Sequence, residues 1–445
     1  MIGVWALVIY LAVILAWTTL LRRNVGEAMI LGFLVAALFN GTHVFSAGWE
    51  ALYAALTDEI VYATVVFVFM GFLLERAGVT HRMINLLDAA IGRRRGGAAY
   101  VSTLASAGLG SIVHNQAAIA ATVGSVTIPW MDRVRIDRTT AATIVAGNAG
   151  MGITFPFSAS MFVLVGSSAT GAMLDLDDLI VPLLVGGLWC VLHRLIVTFI
   201  FVRRSLGSEA PMPTGQSLRV AFRAGWPTIL LFVGIAVPMV LTTGAVGEAL
   251  TDHTGLDVAE AVSPIFWMPV ILIIIGLVLG RGQLPTSPAA WLELIGSSAP
   301  RFGIVGVTVL FAFAGANALA TTGLPEQLSG ILNGLDLPVW LLAVVIGIIV
   351  IAVAAPLSST ATMAAVGTVG VAALVAAGVP ATTAAVAVLI FSSCEAAVPP
   401  GGAPLYVACG IAGVNPLHTF RRMLTYYALP LLGIGVMVAA GVIPV

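Results

Sequence analysis

The stretch Ala355-Pro356-Leu357-Ser358-Ser359-Thr360-Ala361-Thr362, with Ser392-Ser393-Cys394-Glu395-Ala396-Ala397-Val398-Pro399-Pro400-Gly401-Gly402 behind it, decides how this chain is read. Small residues, hydroxyls, one carboxylate and paired prolines interrupt sequence that is otherwise apolar. In water such a stretch is ordinary loop. In a bilayer, irregular backbone persists only where protein buries it or where it lines a watery cavity. Broken helices there present carbonyls and amide dipoles to ions and substrates.

Composition places the chain in a membrane. Of 445 residues, 60% are hydrophobic and 9% charged, and mean hydropathy is +1.08. A soluble domain is about 45–50% apolar and about 25% charged. Apolar runs recur at about 17–22 residues, the length that crosses ~30 Å of hydrocarbon. A net charge of −1 points to no nucleic-acid partner. Cys190, Cys394 and Cys409 all lie in apolar segments and read as small buried thiols. Met1–Leu20 has no basic leader region or small-residue cleavage site and reads as a retained span.

All 19 basic residues are arginines, and their positions set the topology. Spans are expected over 3–21, 28–42 and 61–75, with Arg22 and Arg23 after the first. Glu50, Asp58 and Glu59 separate the second and third. Arginines favour the cytoplasmic side, so the N-terminus is expected outside. Two apolar stretches, within 98–130, are flanked by arginine on both sides. Two full spans would satisfy that but leave a polar tip in the outer headgroups, so a re-entrant helical hairpin is preferred. Its tip is Ser111-Ile112-Val113-His114-Asn115-Gln116. A broken span over 139–170, interrupted near Gly150–Pro156, and a span over 179–201 complete the first unit, 1–204. Residues 205–225 read as a cytoplasmic linker, and 226–445 repeat the order. The repeat has spans over 226–243, 264–280 and 303–320, a hairpin over 338–377, a broken span over 381–413 and a last span over 423–443. An acidic outer loop with Glu248, Asp252, Asp257 and Glu260 separates the first two of these spans. Arg194 is the exception to the charge rule, and its side chain is expected to snorkel toward the inner headgroups.

The halves align at one offset: 367 − 124 = 243 for Gly124 and Gly367, and 399 − 156 = 243 for Pro156 and Pro399. Thr139-Thr140-Ala141-Ala142 falls on Thr382-Thr383-Ala384-Ala385, and His114-Asn115-Gln116 on Leu357-Ser358-Ser359. Five spans and a hairpin per half is an odd count of crossings, which inverts the second copy. The expected fold is therefore an all-α polytopic membrane protein of two inverted-topology repeats. Each carries a re-entrant helical hairpin and a helix broken at the midplane.

Phe67-Val68-Phe69-Met70-Gly71-Phe72-Leu73-Leu74-Glu75-Arg76-Ala77-Gly78 resembles the third-span region of the large membrane subunit of TRAP (tripartite ATP-independent periplasmic) transporters. So do Ala120-Ala121-Thr122-Val123-Gly124 with Ile128-Pro129, and Val398–Gly402 with Leu405-Tyr406-Val407-Ala408. The resemblance runs over about 60–440 and implies an elevator-type, sodium-driven importer of a small organic acid in a bacterial or archaeal cytoplasmic membrane. It also implies two partners, a small four-helix membrane subunit and a periplasmic substrate-binding protein. Three departures stand out: His114-Asn115-Gln116 where the family has a Gly/Ser-rich tip, Phe157 where it has a second proline, and Glu395 where it has a small residue.

Glu395 is the sharpest single residue, because a carboxylate within a span costs several kcal/mol unless paired or wetted. It reads as a sodium ligand or proton carrier, or else as a neutral acid held by a hairpin carbonyl. His114 reads as a gating or anion-binding group, or as a neutral ring held by backbone carbonyls. Ser111, Asn115, Gly150, Thr154, Ser358, Thr360, Ser393 and Glu395 offer the oxygens that sodium wants, one site per hairpin. Asn148 is a further first-half candidate. The substrate is placed between the tips, near His114, Asn115, Ser158, Ser358, Pro400 and Gly401, where helix N-termini can receive a carboxylate. No cofactor is expected beyond coupling ions, sodium or protons. An enzyme is disfavoured, since no GxSxG or HExxH motif is present. A single-component sodium- or proton-coupled organic-anion transporter or antiporter of the same superfamily remains the rival within transport.

Overall fold

The computed structural model describes residues 2–445 apart from 22, 58, 93, 168–169, 206–217, 243, 256–263, 325–326, 328–336, 355–356 and 399–401. Among the described residues every regular element is a helix. The first scaffold elements are α1 (Ile2–Leu15, extended by a π-turn over Ala16–Leu20), α2 (Val25–Leu38), α3 (Val44–Thr57) and α4 (Glu59–Arg76). An amphipathic α5 (Val79–Ile91) follows, then α6 (Gly97–Val113) and α7 (Gln116–Arg133), which pack together as a helical hairpin. α8 (Arg138–Ala149) tightens into 3-10 geometry over Gly150–Thr154, and the chain restarts as α9 (Ala159–Gly166) before the long α10 (Leu176–Ser205).

The second half runs α11 (Leu218–Gly225), α12 (Leu230–Thr242), α13 (Gly244–Thr254), α14 (Pro264–Gly280) and α15 (Pro288–Ala320). The second hairpin is α16 (Val339–Ala354) with α17 (Ser359–Ala376), the latter carrying a π-turn over Met363–Gly367. The second broken element is α18 (Ala381–Ser392) with α19 (Ala403–Ala412), and α20 (Leu417–Ala439) closes the chain. Arg138–Gly166, Leu176–Ser205, Ser359–Ala376 and Leu417–Ala439 are long and apolar enough to cross a membrane, and shorter apolar helices accompany them. The chain is a membrane protein.

Several boundaries follow from caps. Asn115 starts α7 by accepting the Ala118 N–H at 3.0 Å, and Ser358 starts α17 by accepting from Ala361 at 3.3 Å. Asp137 starts α8 by accepting from Thr140 at 2.9 Å. Each side chain fills one of the amide groups left free at a helix start. α8 and α18 share a length of 12 residues, and their starts differ by 381 − 138 = 243. The starts of α7 and α17 differ by 359 − 116 = 243 as well.

The elements pack in two sets. α1–α4, α12, α14 and α15 form one, with α15 lying along α2, α3 and α4. α6–α10 and α16–α20 form the other, and within it the broken elements cross over. α9 packs on α17, and α19 packs on α7 and α8. α4 touches α6 and α9, and α15 touches α9 and α17, so the sets meet along the hairpins.

Four sequence expectations change. Residues 218–225 of the expected linker are helical, with Arg219 and Arg223, four residues apart, sharing one polar face. Part of the expected acidic loop, 244–254, is helix α13. α3 and α5 were not expected: α5 mixes polar and apolar residues too evenly to stand out, and α3 turns its large aromatics outward over a small buried face. Arg194 does not snorkel: it is fully buried, with Nε 3.4 Å from the Gly147 carbonyl and Nη2 lacking a hydrogen-bond partner. The direction is set by α10, which turns that face onto α8 and α18 rather than toward lipid.

Candidate functional site

The two hairpin tips meet over a cavity of about 290 Å³. Its wall includes His114, Asn115 and Gln116 from the first tip, Ser358, Ser359 and Thr360 from the second, and Glu395 from the second break. Phe67, Phe72 and Glu75 of α4 and Thr308 of α15 close the scaffold side, and Phe157 comes from the first break.

A buried polar knot ties the tips together. Gln116 Nε2 donates to Ser359 Oγ at 2.6 Å and to Glu395 Oε2 at 2.9 Å. The Ser359 N–H reaches the same carboxylate oxygen at 3.2 Å, and Ser359 Oγ lies 3.2 Å from it. Ser359 Oγ also lies 3.1 Å from the Ser392 carbonyl, so its single proton chooses between that oxygen and the carboxylate. One oxygen of Glu395 thus gathers donors from both hairpins. Buried acceptors are costly when unfilled, and the N-terminal amides of α17 are among the few donors at hand.

His114 and Phe157 hold the first tip to the first break. Both have positive φ, 53° and 66°, in a region uncommon for residues with a side chain. His114 Nε2 lies 2.9 Å from the Pro156 carbonyl and Nδ1 3.2 Å from that of Ile112. Both ring nitrogens therefore face backbone oxygens and leave no donor for a ligand. Sterically unusual backbone of this kind gathers at binding and switch regions.

Beneath the cavity, Gly150 faces Ser393. A Cβ built at Gly150 would lie 2.1 Å from the Ser393 carbonyl oxygen and 3.0 Å from Gln116 Oε1, which is buried without a partner. Two self-matching pairs therefore exist, Gln116 with Ser359 and Gly150 with Ser393. Their separations are 359 − 116 = 243 and 393 − 150 = 243.

Of the residues expected from sequence, His114, Asn115, Ser358, Thr360 and Glu395 share the cavity wall. Gly150 and Ser393 meet each other below it, while Thr154 is buried and donates to Met151 at 2.8 Å. Ser111 lies back along α6 and donates to Gly108 at 2.9 Å. Ser158 is buried as the cap of α9, accepting from Met161 at 3.1 Å, and is not on the wall. Asn148 is buried and donates to Thr103 at 2.9 Å, away from the cavity. Pro400 and Gly401 lie outside the described residues. Sequence reasoning reached Ser359, as one of the tip hydroxyls with Ser358, Thr360 and Thr362, but missed Gln116 and Glu75 as site residues. The constant offset already paired Gln116 with Ser359, and a signal for Glu75 existed in its place at the end of an apolar run.

Comparisons with known proteins agree with this architecture. A family model described as "Tripartite ATP-independent periplasmic transporter, DctM component" matches residues 10–444. A C4-dicarboxylate TRAP transporter large permease protein of Pseudomonas aeruginosa is 24% identical over 322 residues, 72% of this chain and 70% of that protein. Its namesake in Rhodobacter capsulatus is 23% identical over 374 residues, 81% of this chain and 80% of the relative. Two solved structures share the fold at TM-score 0.61. They are the Alcanivorax borkumensis YdaH transporter, at 16% identity over 90% of this chain and 88% of that one, and Neisseria gonorrhoeae MtrF, described as an antimetabolite efflux pump, at 11% identity over 89% and 83%.

Proposed function

The chain belongs to the DctM component family of tripartite ATP-independent periplasmic transporters, and from that membership we propose that it is the large permease subunit of a sodium-driven importer of a small organic acid. It is a transporter subunit and not an enzyme. The single observation that carries the reading is the cavity between the hairpin tips, walled by both halves of the chain and tied by Gln116, Ser359 and Glu395. A site shared in this way opens to either side when one set of elements moves against the other.

The two halves act as inverted repeats. In support, helix starts recur at 243, and Gln116 and Gly150 each touch their own counterpart. An operation that exchanges two copies leaves only residues near its axis in contact with themselves. The set α6–α10 with α16–α20 is the moving body, and the set around α15 is the fixed one. The chain sits in the bacterial cytoplasmic membrane with its N-terminus outside. A small membrane subunit and an extracytoplasmic binding protein complete the system, as the family's tripartite description implies.

Sodium binds beside the hairpin tips through oxygens of Ser358, Thr360 and Glu395, and through the Gly150–Ser393 region below. Proton coupling is the second reading, favoured by one observation: Glu395 Oε2 collects donors from both tips, so a proton there would release them together. Melting of the purified protein in sodium, potassium and choline chloride at equal ionic strength separates the two. Sodium coupling requires a saturable rise specific to sodium and lost in Ser358→Ala. A melting temperature indifferent to sodium, but moving with pH until Glu395→Gln removes the response, would replace it with proton coupling.

A further inference from the structure

The charge of the cavity wall is one-sided. Glu75 and Glu395 line it, and among the described residues no arginine does. Glu395 is held by the α17 amide end and Gln116, but the half-buried Glu75 has no hydrogen bond or ion pair through its carboxylate among the described residues. His114 turns both nitrogens to carbonyls. Arg76, next in sequence to Glu75, is exposed, lies over the Phe72 ring at 5.5 Å and is not part of the wall.

Aromatic rings share the cavity wall with Glu75, two of them, Phe67 and Phe72, from its own helix α4 and one, Phe157, from the first break. Phe67 and Phe157 stack with centroids 6.1 Å apart and planes 9° from parallel, and Phe72 adds a third ring to the wall. A carboxylate beside phenyl rings attracts an ammonium group, through charge and through the negative ring faces. The same wall repels a dianion, because nothing on it neutralises a second carboxylate in a place sheltered from water. One carboxylate has a place to go. The hydroxyls of Ser358 and Thr360 and the Asn115 amide stand at the starts of α7 and α17, where helix dipoles favour negative charge.

We propose that the cargo is a zwitterion, a small organic acid that also carries an ammonium group. The ammonium lies at Glu75 among Phe67, Phe72 and Phe157, and the carboxylate lies at the Asn115 and Ser358 caps. This rests on the reading of the cavity as the transport site and narrows its substrate class.

Two probes of equal chain length test it. Succinate carries a carboxylate at each end of a four-carbon chain, and 4-aminobutyrate, also of four carbons, ends in an ammonium-bearing methylene where succinate has its second carboxylate. Each is added at the same millimolar concentration to the purified full chain in sodium chloride, and the melting temperature is read. The expected result is a rise of several degrees with 4-aminobutyrate and none with succinate. The preference should vanish in Glu75→Gln and persist in Glu75→Asp. A rise with succinate that equals or exceeds the other would overturn the proposal, as would a preference unchanged in Glu75→Gln. No rise with either probe also counts against it. A sodium-dependent rise retained in the absence of both probes leaves the transport reading standing, so the two failures are distinguishable.

Discussion

Gly150 shows how closely two distant residues are required to approach. Its missing Cβ leaves room for the Ser393 carbonyl, and a methyl group placed there would lie 2.1 Å from that oxygen. Because the obstacle is backbone, no rotamer change relieves it. We expect Gly150→Ala to lower stability by about 1–3 kcal/mol, the usual range for overpacking a closed core. Gly410 on α19 is the matched control, since a Cβ there meets nothing within 4 Å. Gly410→Ala should stabilise by roughly 0.5–1 kcal/mol, through the entropy that glycine loses in a helix. Thermal melting of the two variants side by side checks both signs, and equal effects would remove the argument for a tight contact at Gly150. Glu395 was legible from sequence because a lone carboxylate in apolar sequence is conspicuous. Gln116 was not singled out, although the offset pairs it with Ser359, since its carboxylate partner Glu395 lies 279 residues further on and only the fold brings them together. Arg194 was misread for a related reason. Sequence gives the depth of a residue within a span but not which face of the helix it occupies.

At the scale of helices, hairpins and breaks were legible where polarity and caps coincide. The tip Ser111–Gln116 and the starts at Arg138 and Ala381 fell within a few residues of expectation. α3 was not, because Phe45, Trp49 and Tyr53 point outward while only Gly48, Ala51 and Ala55 are buried, an inversion that soluble patterning does not anticipate. One capped start also joins the two halves. Asp137 accepts from the Thr140 N–H and hydroxyl, while Arg422 of α20 lies 3.5 Å from Asp137 and donates to Thr140 at 2.7 Å. Burial acts to raise the Asp137 carboxyl, but the Thr140 bonds and the Arg422 charge outweigh it and hold the group below the usual carboxylate range. A group lowered by folding stabilises above its unfolded value, and that contribution is lost as pH falls through the folded one. Asp137→Ala should therefore cost about 1 kcal/mol at neutral pH, in the range for a lost helix cap. Its gap from wild type should close on acidification below about pH 4, the ordinary carboxylate value. Melting curves across that window decide it, and a gap independent of pH would assign the effect to cap geometry alone.

At the scale of the whole molecule, transport by relative motion requires the two packed sets to slide where they touch. α4 belongs to one set and the first hairpin to the other, and at Gly71 they pack closely. A Cβ built at Gly71 would lie 3.3 Å from Val113 Cγ1 and 3.5 Å from Val113 Cα. Disulfides span Cβ separations of roughly 3.5–4.5 Å, so Gly71→Cys with Val113→Cys places two thiols within bonding reach. Cys190, Cys394 and Cys409 are free but buried, and they should not compete for an aqueous oxidant. Reconstituted with its partner subunits, the double variant should take up cargo when reduced, stop when oxidised, and recover with a reductant. Each single variant and the wild type should ignore the oxidant. The bond fixes α4 to the tip without entering the polar knot at Glu395, so binding of sodium or cargo, read by melting, should survive oxidation even as uptake ceases. That separation of binding from movement is what an elevator demands. If the oxidised protein instead transports at the reduced rate, α4 and the first hairpin travel together, and the boundary between fixed and moving parts must be drawn elsewhere in the molecule.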